Sequence, residues 1–239
     1  MLRLTVLSPH RDDAVFSLFF ALSRWVNLGV RVRILNFFTR SAYAPYTRAD
    51  DVAHISDIRA REDRRALRKI SPRAREFSLH LLDAPLRLGI QFDEVFRTQT
   101  ARLLTPDWLQ TLATEIAACA GSGLLLAPLT LGNHVDHVAV NRAALHACGP
   151  KRLGFYEDLP YAIWTDGSTV RKKVREMEAA LKLSLYSATI APDRTSMSKQ
   201  FAAGTYSSQI TREEAVAIAR RAERIWIPKS RFWTELHSI

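Results

Sequence analysis

Residues 2–13 read LRLTVLSPHRDD, an apolar run that ends in a cluster of histidine and carboxylate side chains. The apolar part is typical of a buried strand, and a helical spacing of apolar residues runs from Asp13 to Leu28. A strand that leads directly into a helix is the first half of a βαβ unit. The stretch therefore favours an α/β fold in which His10, Asp12 and Asp13 follow the first strand.

The same alternation continues along the chain. Strands are predicted at Leu2–Ser8, Val30–Phe38, Glu76–Leu82, Gly123–Pro128 and Arg152–Tyr156. Helices are predicted at Asp13–Leu28, Ala49–Ile70, Asp107–Ala120 and Asn133–Ala147. This order predicts one α/β domain over residues 1–239, Rossmann-like and doubly wound, with a mostly parallel sheet and helices on both faces. In the common doubly wound order, the first and fourth strands are neighbours and ligands bind at their carboxyl ends.

A second polar cluster, HVDH at residues 134–137, follows the fourth strand. The fold therefore predicts that both clusters lie side by side. Imidazole and carboxylate groups are ligands that zinc prefers, and a catalytic zinc site takes three of them from the protein. His10, Asp13 and one of His134 or His137 would fill these three positions.

Two carboxylates remain beside such a metal. Asp12 would act as a general base, and Asp136 would orient one imidazole from behind. Taken alone, each cluster has an ordinary structural explanation, since an Asp-Asp pair often caps a helix and two histidines three residues apart often lie on a surface turn. Their joint placement at neighbouring strand ends favours a metal-activated water site.

The composition limits the classes of function. The net charge is +10, and much of it lies in the arginine-rich segment 59–75. That segment also contains acidic residues, as on a solvated helix face, and no nucleic-acid motif accompanies it, so we expect no nucleic-acid partner. Cys119 and Cys148 resemble core residues, which favours a reducing cytoplasm. No signal peptide or membrane span is expected, and a homo-oligomer is left open.

The two clusters resemble the PIG-L/LmbE family of zinc-dependent deacetylases, whose motifs are His-Pro-Asp-Asp and His-Pro-Asp-His. In this chain the motifs read His-Arg-Asp-Asp at 10–13 and His-Val-Asp-His at 134–137. Weaker similarity to the family extends over Arg59–Glu62, Asp83, Lys199 and Tyr206–Gln209. Segments 37–41 and 156–161 are similar to a branch that includes deacetylases of glycopeptide-antibiotic biosynthesis.

The resemblance implies a role for each matching residue. It implies one zinc ion per chain bound by His10, Asp13 and His137, with Asp12 as the base. His134 would stabilise the oxyanion, and Asp136 would tune His134. The substrate-binding residues would be Arg59, Asp83 and Tyr156. The implied reaction removes an N-acyl group, acetyl in the first place, from an amino sugar or a glycosylated metabolite. The alternative is a non-catalytic metal- or anion-binding module of the same fold.

The chain also departs from the family's pattern. Arg11 and Val135 replace the motif prolines, and Phe19 and Phe20 stand where the family often has glycine. At least one of the two phenyl rings is expected in the core, and the other would narrow the pocket. A narrower pocket would favour a larger glycosylated metabolite over free N-acetylglucosamine. Tyr156, Tyr161, Trp164 and Tyr206 would then be candidates for stacking on a sugar.

Overall fold

In the part of the chain that the structure describes, seven strands form a single mixed sheet. The structure is a computed structural model that describes residues 2–71, 74–192 and 196–229. The strands are β1 (Arg3–Ser8), β2 (Arg31–Asn36), β3 (Arg75–Ser78), β4 (Leu124–Pro128), β5 (Leu153–Tyr156), β6 (Leu185–Ile190) and β7 (Glu223–Pro228).

Helices connect most of the strands. The α-helices are α1 (Asp13–Asn27), α2 (Val52–Ile70), α3 (Ala84–Leu88), α4 (Pro106–Ala120), α5 (Val135–Ala147), α6 (Tyr161–Trp164), α7 (Gly167–Leu181), α8 (Ser196–Ala203) and α9 (Arg212–Arg220). Short 3₁₀ helices span Phe92–Phe96, Thr98–Leu103 and Pro150–Arg152. None of the described helices has the length and apolar character needed to cross a membrane.

The strand order is β3-β2-β1-β4-β5-β7-β6. The first five strands are parallel, and β7 runs antiparallel between β5 and β6. The chain moves outward from β1 to β3, returns to the middle, and pairs Leu4 of β1 with Leu124 of β4. The switch point between β1 and β4 therefore lies where the sequence predicts it.

Burial explains why the central strands are so apolar. All five residues of β4 are buried, as are the last five of β1, which is typical of parallel strands covered on both faces. Helix α1 packs against α2, α8 and α9, whereas α4 packs against α5. The predicted α/β class, with a mostly parallel sheet and helices on both faces, is confirmed.

Some predicted bounds are wrong. The third strand ends at Ser78 and not at Leu82, because His80 has a left-handed φ of 55° that interrupts extended backbone. Helix α2 begins at Val52, since the carboxylate of Asp51 accepts the backbone N–H of His54 and caps it. The pattern of apolar residues also did not predict β6 and β7, which form the antiparallel edge of the sheet.

Candidate metal centre

The turn after β1 fixes the first polar cluster. The Ser8 hydroxyl donates to the carbonyl of His10 (2.6 Å) and accepts the N–H of Ala14 (3.1 Å). Asp13 is the first residue of α1, and its Oδ2 accepts the N–H of His10 (2.7 Å). The backbone thus holds Asp13 in place and leaves its Oδ1 for another partner.

The second cluster begins α5 beyond the carboxyl end of β4. His134 is the N-cap residue, and its Nδ1 accepts the N–H of Asp136 (3.1 Å). His137 is fully buried in the first turn of the helix. Because the Nδ1 of His134 is an acceptor, its neutral ring carries the proton on Nε2.

The two clusters meet at the switch point. The Nε2 of His137 lies 3.3 Å from Oδ1 of Asp13, and the Nδ1 of His10 lies 3.4 Å from Oδ2 of Asp13. Ligands of a tetrahedral zinc ion lie about 2.0–2.2 Å from the metal and hence about 3.3–3.6 Å from one another. The ligand atoms of His10, Asp13 and His137 lie within 4.8 Å of one another. The geometry therefore suits one small cation.

An unsatisfied nitrogen supports this fit. His137 Nε2 is buried and makes no hydrogen bond within the described part of the chain, although Asp13 is close. A buried polar atom without a partner costs roughly 1–3 kcal/mol, so it is rare in folded proteins. A zinc ion would bind this atom, and the imidazole and carboxylate donors are those that zinc accepts. The residues present thus fit the group that the resemblance implies.

Two buried carboxylates lie behind the histidines. Asp136 Oδ2 is 3.1 Å from Nε2 of His10, and Asp158 Oδ2 is 3.0 Å from Nδ1 of His137. Carboxylates in such positions orient the ring and set its tautomer. The sequence predicted that Asp136 orients one imidazole, and the resemblance implied that it tunes His134. Its carboxylate contacts the ring of His10, and its backbone N–H donates to His134. Its side chain therefore lies behind the histidines and does not line the cleft.

The carboxylates also determine the protonation of the site. Burial alone would lower the pKa of His10 and of His137, but Asp13, Asp136 and Asp158 outweigh it and raise these pKa values to about 9 and about 10. Burial would raise the pKa of Asp13, yet the two histidines hold it below its usual range. Without a metal, the site therefore holds protons where a cation would bind.

Asp12 stands apart from these contacts. Its carboxylate lines the cleft, and burial, followed by the negative charge of Asp13, raises its pKa. Arg59 Nη2 lies 3.9 Å from its Oδ2, while Arg59 Nη1 donates to Ser41 Oγ (2.8 Å). A carboxylate with a raised pKa that faces the cleft is suited to accept a proton.

The cleft above the cluster has a volume of about 80 Å³. Its polar wall includes the predicted residues Arg59, Asp83 and His134. Its outer wall is aromatic, because the rings of Tyr43 and Phe92 stack at 4.1 Å with an angle of 6° between their planes. The cleft is thus polar at its base and apolar at its mouth.

Tyr161 closes one side of the cleft. A Cβ on Gly132 would come within 2.5 Å of the Tyr161 ring, so this ring packs directly on the loop that follows β4. The Tyr161 ring also meets His137 edge-on at 5.3 Å. Of the aromatic residues expected near a sugar, Tyr161 therefore reaches the cleft.

Four other aromatic residues that the sequence placed near the cleft or the core lie away from the cleft. Tyr156 is fully buried, and its hydroxyl donates to the carbonyl of Leu7 (2.9 Å). Tyr206 is also buried and donates to Asp63 (2.7 Å). Phe19 and Phe20 both lie in the core. The structure thus makes Tyr156 a core residue and not a substrate contact, and neither phenylalanine narrows the cleft, because α1 turns this face toward the protein interior.

The sequence did not indicate two residues that shape the site. Asp158 lies in segment 156–161, for which the sequence indicates a resemblance but no role for this residue. It follows β5, the strand beside β4, so the rule that ligand-binding residues follow central strands of the sheet points to it. Arg87 donates to Asp136 Oδ1 (2.7 Å) and lies 4.6 Å from the ring centroids of Phe38 and Trp108. No sequence pattern marks Arg87.

Comparisons with known proteins show what this chain is similar to. A curated relative, the 2'-N-acetylparomamine deacetylase of Streptomyces fradiae, is 33% identical over 181 residues, which cover 73% of this chain and 63% of the relative. The chain thus spans less than two thirds of the length of that relative.

Solved structures share the fold. The zinc-inhibited form of teicoplanin deacetylase Orf2 is 24% identical, covers 94% of this chain and 97% of its own, and has a TM-score of 0.66. The conserved protein TT1542 from Thermus thermophilus is 18% identical, with coverages of 96% and 95% and a TM-score of 0.59.

The family comparison covers the part of the chain that builds the site. The profile described as PIG-L, GlcNAc-PI de-N-acetylase, matches residues 5–148, more than half of the chain. This range begins in β1 and includes both polar clusters. The chain therefore belongs to the PIG-L family.

Proposed function

We propose that the protein is a zinc-dependent hydrolase that removes an N-acetyl group from an amino sugar of a glycosylated metabolite. The observation that carries this proposal is the cluster of His10, Asp13 and His137 beside the cleft-facing carboxylate of Asp12. Among the described residues, His137 Nε2 has no hydrogen-bond partner. A purely structural metal site would not need that additional carboxylate.

His10, Asp13 and His137 would hold one zinc ion per chain. Bound zinc supplies a Lewis acid that polarises an amide carbonyl and makes water more acidic. Asp158 and Asp136 keep the two imidazoles oriented from behind. A cytoplasmic location, a homo-oligomer and the single zinc ion stay predictions.

Asp12 and His134 would divide the proton chemistry. Asp12 accepts the proton of the attacking water and returns it to the leaving amine. His134 stays neutral, because burial and the neighbouring charge of His10 hold its pKa well below its ordinary value. Its Nε2–H can therefore donate to the oxygen on which negative charge develops.

The shape of the cleft supports an amino-sugar glycoside as the substrate. The cleft, with a volume of about 80 Å³, suits a small acyl group, and the stacked Tyr43 and Phe92 rings at its mouth offer an apolar surface to a sugar or an aglycone. In the same cleft, Arg59 provides hydrogen-bond donors and Asp83 provides hydrogen-bond acceptors. The relative from Streptomyces fradiae is, as its name states, a deacetylase of 2'-N-acetylparomamine.

The test is release of amine and acetate from N-acetylglucosamine and from larger N-acetylated glycosides, measured with zinc-loaded protein. Asp12→Asn should keep its zinc and lose activity by roughly 10²–10⁴-fold, because an amide does not accept the water proton. We expect faster turnover of the larger glycosides. Zinc binding without amine release from any of them would favour the non-catalytic module, and an active Asp12→Asn variant would remove the base role.

A further inference from the structure

A second concave surface lies at the opposite end of the sheet. It is a groove of about 500 Å³ near the amino ends of β1, β2 and β3 and the carboxyl end of α4. Four arginines line it, namely Arg3, Arg31, Arg33 and Arg75. We call this surface the arginine groove.

Sheet register places these four side chains on one face. Arg31 and Arg33 are two residues apart in β2, so both point to the same side. Arg3 is the neighbour of Arg31 in β1, and Arg75 is the neighbour of Arg33 in β3. The groove therefore contains two directly adjacent arginine pairs.

The chain does little to neutralise this charge. No Asp or Glu lines the groove, and none of its four arginines forms an ion pair with a described residue. Arg33 donates to a neutral acceptor, the carbonyl of Cys119 in the last turn of α4, and its guanidinium lies 5.0 Å from the centre of the Phe77 ring. Like charges on adjacent strands are unfavourable, so an anion would relieve this arrangement.

We propose that the arginine groove binds a small ligand that carries a polyphosphate group. One guanidinium group can donate two parallel hydrogen bonds to the oxygens of a phosphate. The exposed residues Arg3, Arg31 and Arg75 are free to turn toward one ligand. The volume lies within the range of about 300–1,000 Å³ that is typical of small-molecule sites. Phe77, which is 45% exposed beside Arg33, offers an aromatic surface for a base or another flat group. This site is independent of the deacetylation cleft.

The test is calorimetric titration of the zinc-loaded protein with inorganic triphosphate and with ATP. Inorganic triphosphate probes the phosphate group alone, and tighter binding of ATP would identify a nucleotide as the source. The double variant Arg31→Gln/Arg75→Gln should lower the affinity for triphosphate about tenfold or more, since it removes two charge-assisted contacts. It spares Arg33, whose contact with α4 is structural.

The matched control is Arg171→Gln/Arg175→Gln. It removes the same charge from two exposed arginines four residues apart on α7. This control should bind triphosphate like the unchanged protein. The groove variant should keep its deacetylase activity, and its melting temperature without ligand should be unchanged or higher, because a like-charge contact is relieved.

Several results would overturn the proposal. An equal loss of affinity in both double variants would show that net charge alone attracts the anion. Triphosphate binding that persists in the groove variant and disappears without zinc would place the anion on the metal. A short oligonucleotide that binds much more tightly than either phosphate ligand would make the groove a nucleic-acid surface, and no binding at millimolar concentration would exclude the site.

Discussion

Asp158→Asn tests how the buried carboxylates support the metal site. Asp158 Oδ2 lies 3.0 Å from His137 Nδ1, and its Oδ1 accepts the N–H of Leu131 (3.1 Å). Both carboxylate oxygens therefore act as acceptors. An asparagine has the same shape but only one acceptor, so in either orientation its NH₂ group faces one of these two partners.

Either orientation weakens the site. If the NH₂ group faces Leu131, two donors meet in a buried position. If it faces His137, the ring must carry its proton on Nε2, the atom that would bind zinc. Loss of such an orienting partner typically costs about 10–100-fold in metal affinity, or about 1.4–2.7 kcal/mol. We expect Asp158→Asn to lose zinc affinity within this range.

The assay is competition for zinc with a chelator of known affinity, combined with metal analysis after purification. Glu157→Gln is the matched control, because Glu157 is the adjacent buried carboxylate and accepts hydrogen bonds from Arg224 (3.2 Å) and Trp226 (3.1 Å), away from the cluster. This control should lose stability and keep its zinc affinity. Unchanged zinc affinity in Asp158→Asn, or equal losses in both variants, would refute the reasoning.

Three further predictions concern the cleft and its surroundings. Arg59→Ala should lower kcat/KM about tenfold or more and should also lower the melting temperature, because Arg59 is buried and donates to Ser41, whereas Arg64→Ala on the exposed face of α2 should do neither; an unchanged kcat/KM in Arg59→Ala would make Arg59 a structural residue. Zinc affinity should rise about a hundredfold per pH unit between about pH 6 and pH 8, because zinc must displace one proton from each of His10 and His137. The pKa values of these two residues are raised to about 9 and about 10, so both rings are protonated in this range. A zinc affinity that does not change with pH in chelator competition would contradict this. Arg11→Ala leaves the buried Asp63 and the partly exposed Glu76 without their cation and should cost about 3 kcal/mol in urea unfolding, whereas a loss below about 1 kcal/mol would contradict a structural ion pair.

Sequence patterns predicted the centre of the fold because they are strong there. The runs that form β1 and β4 are continuous and apolar, as buried parallel strands require. Their adjacency followed from the doubly wound order, so His10 and Asp13 were expected beside His134 and His137. The choice between His134 and His137 as the third ligand needed the resemblance to the family.

The remaining features depend on three-dimensional packing. The sequence around Tyr156, at the end of a short strand, does not show whether its ring faces the cleft or the core. Its hydroxyl donates to Leu7, which is 149 residues away in the sequence. Strand β6 has no clean alternation of buried and exposed residues, which is why its pattern did not predict it. The arginine groove arises from the register of β1, β2 and β3, whose arginines are separated in the sequence by the helices α1 and α2.

The most direct measurement is anomalous diffraction at the zinc edge from crystals of the zinc-loaded protein. We predict one peak in the cleft per chain, about 2.0–2.2 Å from a carboxylate oxygen of Asp13, Nδ1 of His10 and Nε2 of His137, with Asp12 beside it and not bound. Absence of a peak at this position, or a zinc ion held by His134 and Asp136 instead, would contradict the proposed metal centre.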